Sequence, residues 1–338
     1  MRNIFQFSKK DSIVRKFVRA ISTFATEAPS NISPIIAKQA QEAFMVRDNP
    51  IKYQDLLRKN SVDLRDNWLH FCDHEQASEF EYMLKMMQNP HLKSFLIKKV
   101  NLQDLIADSA IQDFAPKYFM EMIQNLMKYQ ETDKYFDEKV PPSFTDIPPH
   151  FDYNIELLSL FCVDSGNGAT ATFLMDPKII FEQLSSEEKA MASCPVFQYS
   201  SQEFAPLFWM KQVGDIDKEE VLHARIDTDK ITRKAMKFKD YEIDGKKYSA
   251  KDFGELFHKI SNMTMNVYEK KQYNIIILQP GDVLFFDNER TAHGRFNQQD
   301  ENNPYAQIEN PYRLVFRHGG VRTANSSPLV GTQTEIVK

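Results

Sequence analysis

The chain has 338 residues, 42% of them hydrophobic and 26% charged, with a formal net charge of −5. That is the composition of an ordinary globular protein with enough apolar material for a sizeable core, in about two domains or one large all-β unit. Without a global positive field the chain has no general attraction for nucleic acid or an anionic membrane, so neither is expected as a partner.

No uninterrupted apolar run approaches the ~18–20 residues that a membrane-crossing helix needs. The three cysteines, Cys72, Cys162 and Cys194, lack C-x-x-C spacing and predict neither a disulfide framework nor a thiolate zinc site. A reducing compartment follows, and the cytoplasm is the expected one.

In chain order, residues 1–26 carry Arg2, Lys9, Lys10, Arg15, Lys16 and Arg19 against the single acid Asp11, with Phe17, Val18, Ile21 and Phe24 at helical spacing. An amphipathic helix packed on the domain explains this pattern. A transit peptide explains it too and leaves an organelle open. From Ile32 to about Gln130 the periodicity predicts helices, with apolar residues at Ile35, Ile36, Ala40 and Phe44 and again at Phe80, Met83, Leu84 and Met87. Character changes near Val140-Pro141-Pro142. Beyond it the β-type runs are Leu157–Val163, Thr170–Met175, Tyr273–Leu278, Val283–Asp287 and Tyr312–Arg317.

The long polar stretch from Tyr199 to Gln272 is expected to form a lid or insertion, with a hairpin turn at Ile243-Asp244-Gly245-Lys246. The predicted plan is a helical region over 1–135 packing on a mainly β core over 136–325. The core carries an insertion at about 199–272, and a tail covers 326–338.

Three segments carry chemistry. In Pro149-His150-Phe151-Asp152, residues two apart on a strand project to one face, so an imidazole and a carboxylate share a cavity. These are two thirds of a 2-His-1-carboxylate metal triad. The second segment runs from Gly281-Asp282-Val283-Leu284-Phe285-Phe286-Asp287-Asn288 to His293-Gly294-Arg295. It places a histidine just past a strand end, where Gly294 allows close backbone approach. In the third, Tyr312-Arg313-Leu314-Val315-Phe316-Arg317, both arginines fall on the Val315 face. Guanidinium groups directed inward call for anionic partners, and their forked donors suit carboxylates.

Taken in this order, these motifs resemble the taurine dioxygenase and clavaminate synthase-like group of Fe(II)/2-oxoglutarate oxygenases. The likeness covers roughly residues 140–322. It implies a double-stranded β-helix (jelly-roll) core, Fe(II) as metal, 2-oxoglutarate as cosubstrate and O₂ as oxidant. It also implies His150, Asp152 and His293 as metal ligands and catalytic centre. Arg313 matches the arginine that pairs with the far carboxylate of 2-oxoglutarate, assisted by Thr172, with Thr170 as second choice. Arg317 matches a position that contacts the substrate's own acid group. In Arg225-Ile226-Asp227-Thr228-Asp229, the acids Asp227 and Asp229 match residues that hold a basic substrate. The implied reaction hydroxylates or desaturates an unactivated C–H bond of a small anionic, amino-acid-like substrate.

Two departures bear on substrate choice. The stretch after His150-x-Asp152 is shorter than usual, and the interval from His293 to Arg313 is longer. Three alternatives stay open: an oxygenase acting on a protein or carrier-bound residue, a non-catalytic jelly-roll binding module, and a zinc hydrolase on the same triad. The other histidines, His70, His74, His91, His223, His258 and His318, read as packing or surface residues.

Overall fold

Asparagine and aspartate caps start the long helices of the N-terminal half. The computed structural model describes residues 23–131, 136–139, 147–152, 155–165, 170–199, 203–213, 219–226, 228, 235–297 and 313–322. The basic stretch 1–22, where most of the amphipathic-helix and transit-peptide readings fall, lies outside these residues. After strand β1 (Thr23–Glu27) and helix α1 (Ile32–Phe44), helix α2 (Pro50–Phe71) opens with the Asn49 side chain accepting from the Lys52 N–H. Its first residue is proline, where the missing N–H costs nothing. A reciprocal capping box between Asp73 and Gln76 starts α3 (His74–Leu84). Asp108 caps α4 (Ser109–Leu126). The apolar stripes of these helices meet in one buried cluster that includes Ile36, Leu64, Phe80 and Phe119, with Trp68 stacked on Phe80 at 4.4 Å.

The N-terminal region is not helical throughout. Strand β2 (Ser94–Lys98) lies inside it, parallel to β1 and antiparallel to β15 (Val283–Asp287). Phe95 and Ile97 join the helical cluster, while Leu96 joins a separate cluster on the other side of the sheet. A strand buried on both faces is a continuous apolar run without alternation, so its period cannot distinguish it from a helix segment.

Among the described residues the larger sheet has seven strands. Its order is β1-β2-β15-β6-β17-β3, with β6 spanning Leu157–Ser165, β17 Arg313–Arg322 and β3 Tyr129–Glu131. Strand β4 (Phe136–Lys139) also pairs with β17. A four-stranded sheet runs β14-β7-β16-β5, comprising Asn274–Ile276, Thr170–Met175, Ala292–Asn297 and Ile147–His150. Leu158, Leu160, Phe286 and Val315 of the first sheet share one buried cluster with Leu174 and Ile276 of the second. The two sheets therefore pack face to face, and the helices cover the outer face of the larger one. Phe316 points to the helical cluster and Val315 to the inter-sheet cluster, as their alternation predicts.

After β7 come α5 (Lys178–Phe181), α6 (Ser186–Ala192), β8 (Phe197–Tyr199), β9 (Phe208–Val213), β10 (Glu219–Ala224) and β11 (Met236–Phe238). The predicted hairpin turn joins β12 (Tyr241–Ile243) to β13 (Lys246–Tyr248), with Asp244 at φ 50° and Gly245 at φ 77°. Helix α7 (Ala250–Glu269) follows a Ser249/Asp252 capping box. It buries Phe253, Leu256, Phe257, Ile260 and Val267 against α6, β8 and β9 residues in a third cluster. The polar stretch thus contains a long helix with a buried face: the 3.6-residue apolar period of α7 is present in the sequence, diluted by its charged outer face.

Candidate active site

Strand pairing builds the centre. His293 of β16 stands opposite His150 of β5 in the register, and their ring centroids lie 4.3 Å apart. His293 thus sits within a strand rather than beyond one. Asp152, conversely, lies past the end of β5. Asp152 Oδ2 is 3.3 Å from His293 Nε2, and Asp152 Oδ1 is 3.9 Å from His150 Nε2. One ligand atom from each of the three residues falls within 4.8 Å of the other two. This is the one such group of three metal-binding side chains among the described residues.

The protonation states suit a cation. His150 Nδ1 is 3.0 Å from the Pro148 carbonyl, which can only accept, so Nδ1 donates there and Nε2 is the ring nitrogen turned toward the Asp152 carboxylate. Burial pushes His293 down to about 4, helped by His150 and resisted by Asp152, which leaves a neutral imidazole at pH 7. Burial alone would raise the Asp152 carboxyl, but His293, Arg317 and His150 outweigh it and hold the group well below the usual carboxylate range. Two imidazole nitrogens and one carboxylate oxygen, with no thiolate, form a donor set that fits Fe(II).

Two further features set the spacing. A Cβ on Gly294 would lie 2.4 Å from both the Ile147 carbonyl oxygen and the Phe173 ring, so β5 can approach β16 only because this residue is glycine. Thr228 donates its hydroxyl to the Pro149 carbonyl at 2.6 Å, pinning the insertion to β5. Its neighbours Asp227 and Asp229 lie outside the described residues.

His150 and His293 line a cavity that opens between the sheets. Its polar lining includes Thr172, Arg295 and Arg317, and its apolar lining includes Leu158, Leu160 and Val315. Arg317 points inward and pairs with Asp152. The backbone of Arg313 begins β17, but its side chain lies outside the described residues, as does that of Thr170. Sequence reasoning gave Arg295 no role. Its position two residues after His293 on one strand was the available signal. His223, read as a packing or surface histidine, is buried with its Nδ1 3.1 Å from Glu289. His318 is buried as well.

No known protein-family profile matches the chain, and no curated protein matches it. Solved structures do. The non-haem iron oxygenase OrfP aligns over 90% of this chain and 95% of its own, with a TM-score of 0.59 and 13% identity. OrfP in complex with Fe and alpha-ketoglutaric acid gives a TM-score of 0.58 at 14% identity, covering 88% and 93%. An asparagine oxygenase in complex with Fe(II), 3-hydroxyasparagine and succinate gives a TM-score of 0.56 at 11% identity, also covering 88% and 93%. This chain therefore shares the fold of these two oxygenases.

Proposed function

We propose that the chain is an Fe(II)/2-oxoglutarate-dependent oxygenase of the taurine dioxygenase and clavaminate synthase-like group, oxidising a C–H bond of a small anionic, amino-acid-like substrate. The observation that carries this reading is the convergence of His150, Asp152 and His293 beside a cavity that also presents Arg295, Arg317 and Thr172. In this reading the two facing sheets are the two halves of a jelly-roll. The insertion, tied to the ligand segment through Thr228, forms its lid. The substrate class draws support from structural relatives described in complex with 3-hydroxyasparagine and with L-canavanine.

His150, Asp152 and His293 would hold the metal, and the bound iron and 2-oxoglutarate supply oxidative decarboxylation to succinate and CO₂ coupled to C–H oxidation. The protein's part is binding and exclusion of water. Two guanidinium groups and a hydroxyl orient carboxylates, while Leu158, Leu160 and Val315 keep the reacting region apolar. An anaerobic titration with Fe(II) and 2-oxoglutarate tests the reading. A visible charge-transfer band should form, and His150→Ala and His293→Ala should abolish it. Amino acids screened in air should then raise succinate release, with the oxidised product identified by mass. A chain that forms no band and releases no succinate with any acidic or amino-acid substrate would refute the proposal.

A further inference from the structure

Because β5 ends at His150, no strand ladder sets the direction of Asp152. One side chain holds its backbone instead. Asn288 Oδ1 accepts from the Asp152 N–H at 3.1 Å, and Asn288 Nδ2 donates to the Asp152 carbonyl at 2.8 Å and the Ile155 carbonyl at 2.7 Å. The Asn288 backbone N–H adds a bond to the Glu156 carbonyl at 2.8 Å. Both amide hydrogens and the amide oxygen are thereby engaged. Asn288 is 1% exposed, so water cannot readily stand in for the amide.

The base beneath Asn288 is itself fixed. Its neighbour Asp287 pairs with Arg290 in a buried ion pair, and Arg290 donates to the carbonyls of Met86, Asn89 and Leu92. The connection between β15 and β16 is thus bolted to the helical layer on one side and to the ligand segment on the other.

We propose that Asn288 is the positioning residue of the candidate metal centre. It stands in for a neighbouring strand at Asp152 and Ile155 and aims the Asp152 carboxylate at the two imidazoles. The proposal rests on the reading of His150, Asp152 and His293 as metal ligands. Alanine at 288 would remove all three side-chain bonds. Aspartate would keep the acceptor, lose both donors and set a carboxylate against two carbonyl oxygens.

The test uses the full chain stripped of metal, with Co(II) as probe. Affinity is measured by chelator competition, the site is read from the visible spectrum of the Co(II) form, and stability is read by urea unfolding without metal. Asn288→Ala and Asn288→Asp should weaken Co(II) binding roughly 10–100-fold and alter the spectrum, as loss of a group that orients a metal ligand does. Leu64→Ala, in the helical layer, should lower the unfolding midpoint yet leave Co(II) affinity and spectrum as in the wild type, separating position from stability. If Asn288→Ala does not fold, the isosteric Asn288→Asp decides. Wild-type affinity and spectrum in either folded Asn288 variant would overturn the proposal. If the wild-type chain binds no Co(II), or binds it regardless of His150→Ala, the metal reading itself falls and the proposal with it.

Discussion

Arg295 and Thr172 stand directly opposite each other where β16 pairs with β7, and both side chains line the cavity that His293 faces. Arg295 is 8% exposed and Thr172 3%. A guanidinium and a hydroxyl side by side, withdrawn from water, provide the donors that hold a carboxylate.

Arg295→Met is therefore expected to weaken 2-oxoglutarate binding by about tenfold or more, because a hydrogen bond to a charged group contributes about 1.5–3 kcal/mol. Thr172→Val should weaken it less, and neither change should alter metal affinity. Anaerobic titration of the Fe(II) protein with 2-oxoglutarate gives both numbers. Wild-type affinity in Arg295→Met would move the carboxylate anchor elsewhere, with Arg313 the next residue to vary.

Gly294→Ala should damage the metal site more than the fold. The added methyl meets the Ile147 carbonyl oxygen and the Phe173 ring, both at 2.4 Å, so β5 must retreat and carry His150 with it. Metal affinity should fall by tenfold or more, on the scale of a disturbed ligand geometry. Chelator competition measures this, and urea unfolding measures the accompanying change in stability.

Arg290→Ala should be among the most destabilising single changes in the chain. The side chain is fully buried, and its removal takes the ion-pair partner from the Asp287 carboxylate and a donor from each of three carbonyls. Breaking a buried pair on one side costs about 3–5 kcal/mol. Chemical denaturation checks the figure. Arg290→Lys should recover only part of the loss, since one ammonium cannot serve four acceptors in a planar fork.

Stability should decline in two steps on acidification. Burial, with Lys117 nearby, pushes His318 down to about 4 from its ordinary 6.5. Between these values the unfolded chain takes up a proton that the folded one refuses, so stability falls as pH drops from 6.5 to about 4. Burial alone would raise Glu289, but its hydrogen bond to His223 and the Lys211 charge bring it from 4.5 to about 2. Its contribution is fully present above pH 4.5 and is lost as pH falls through about 2. Urea unfolding across this range should show His318→Gln reducing the upper step, which His293, also lowered to about 4, shares, and Glu289→Gln reducing the lower one.

Much of the centre was legible in the sequence because its signals are short and local. His150 and Asp152 are two residues apart, and the Gly281–Arg295 block reads as turn, buried strand and histidine. The inward face of β17 follows from the alternation of Leu314, Val315, Phe316 and Arg317. Elements whose surroundings override their pattern were not legible. Strand β2 is apolar on both sides and so has no period to read, while α7 hides its stripe under charge. His293 reads as lying beyond a strand because Ala292-His293-Gly294-Arg295 shows no apolar–polar alternation, although β16 is an interior strand paired on both sides.

The sequence by itself determined which groups are available: two imidazoles and a carboxylate at the three motif positions, an arginine-bearing strand, and a glycine where two backbones must nearly touch. Only the tertiary structure decided how they meet. Pairing of β16 with β5 and β7, segments more than a hundred residues apart, sets His293 against His150 and Arg295 against Thr172. An asparagine 136 positions from Asp152 fixes that residue's backbone. Residue spacing encodes which side chains share a face within one element, whereas register between distant strands depends on packing that no local pattern records.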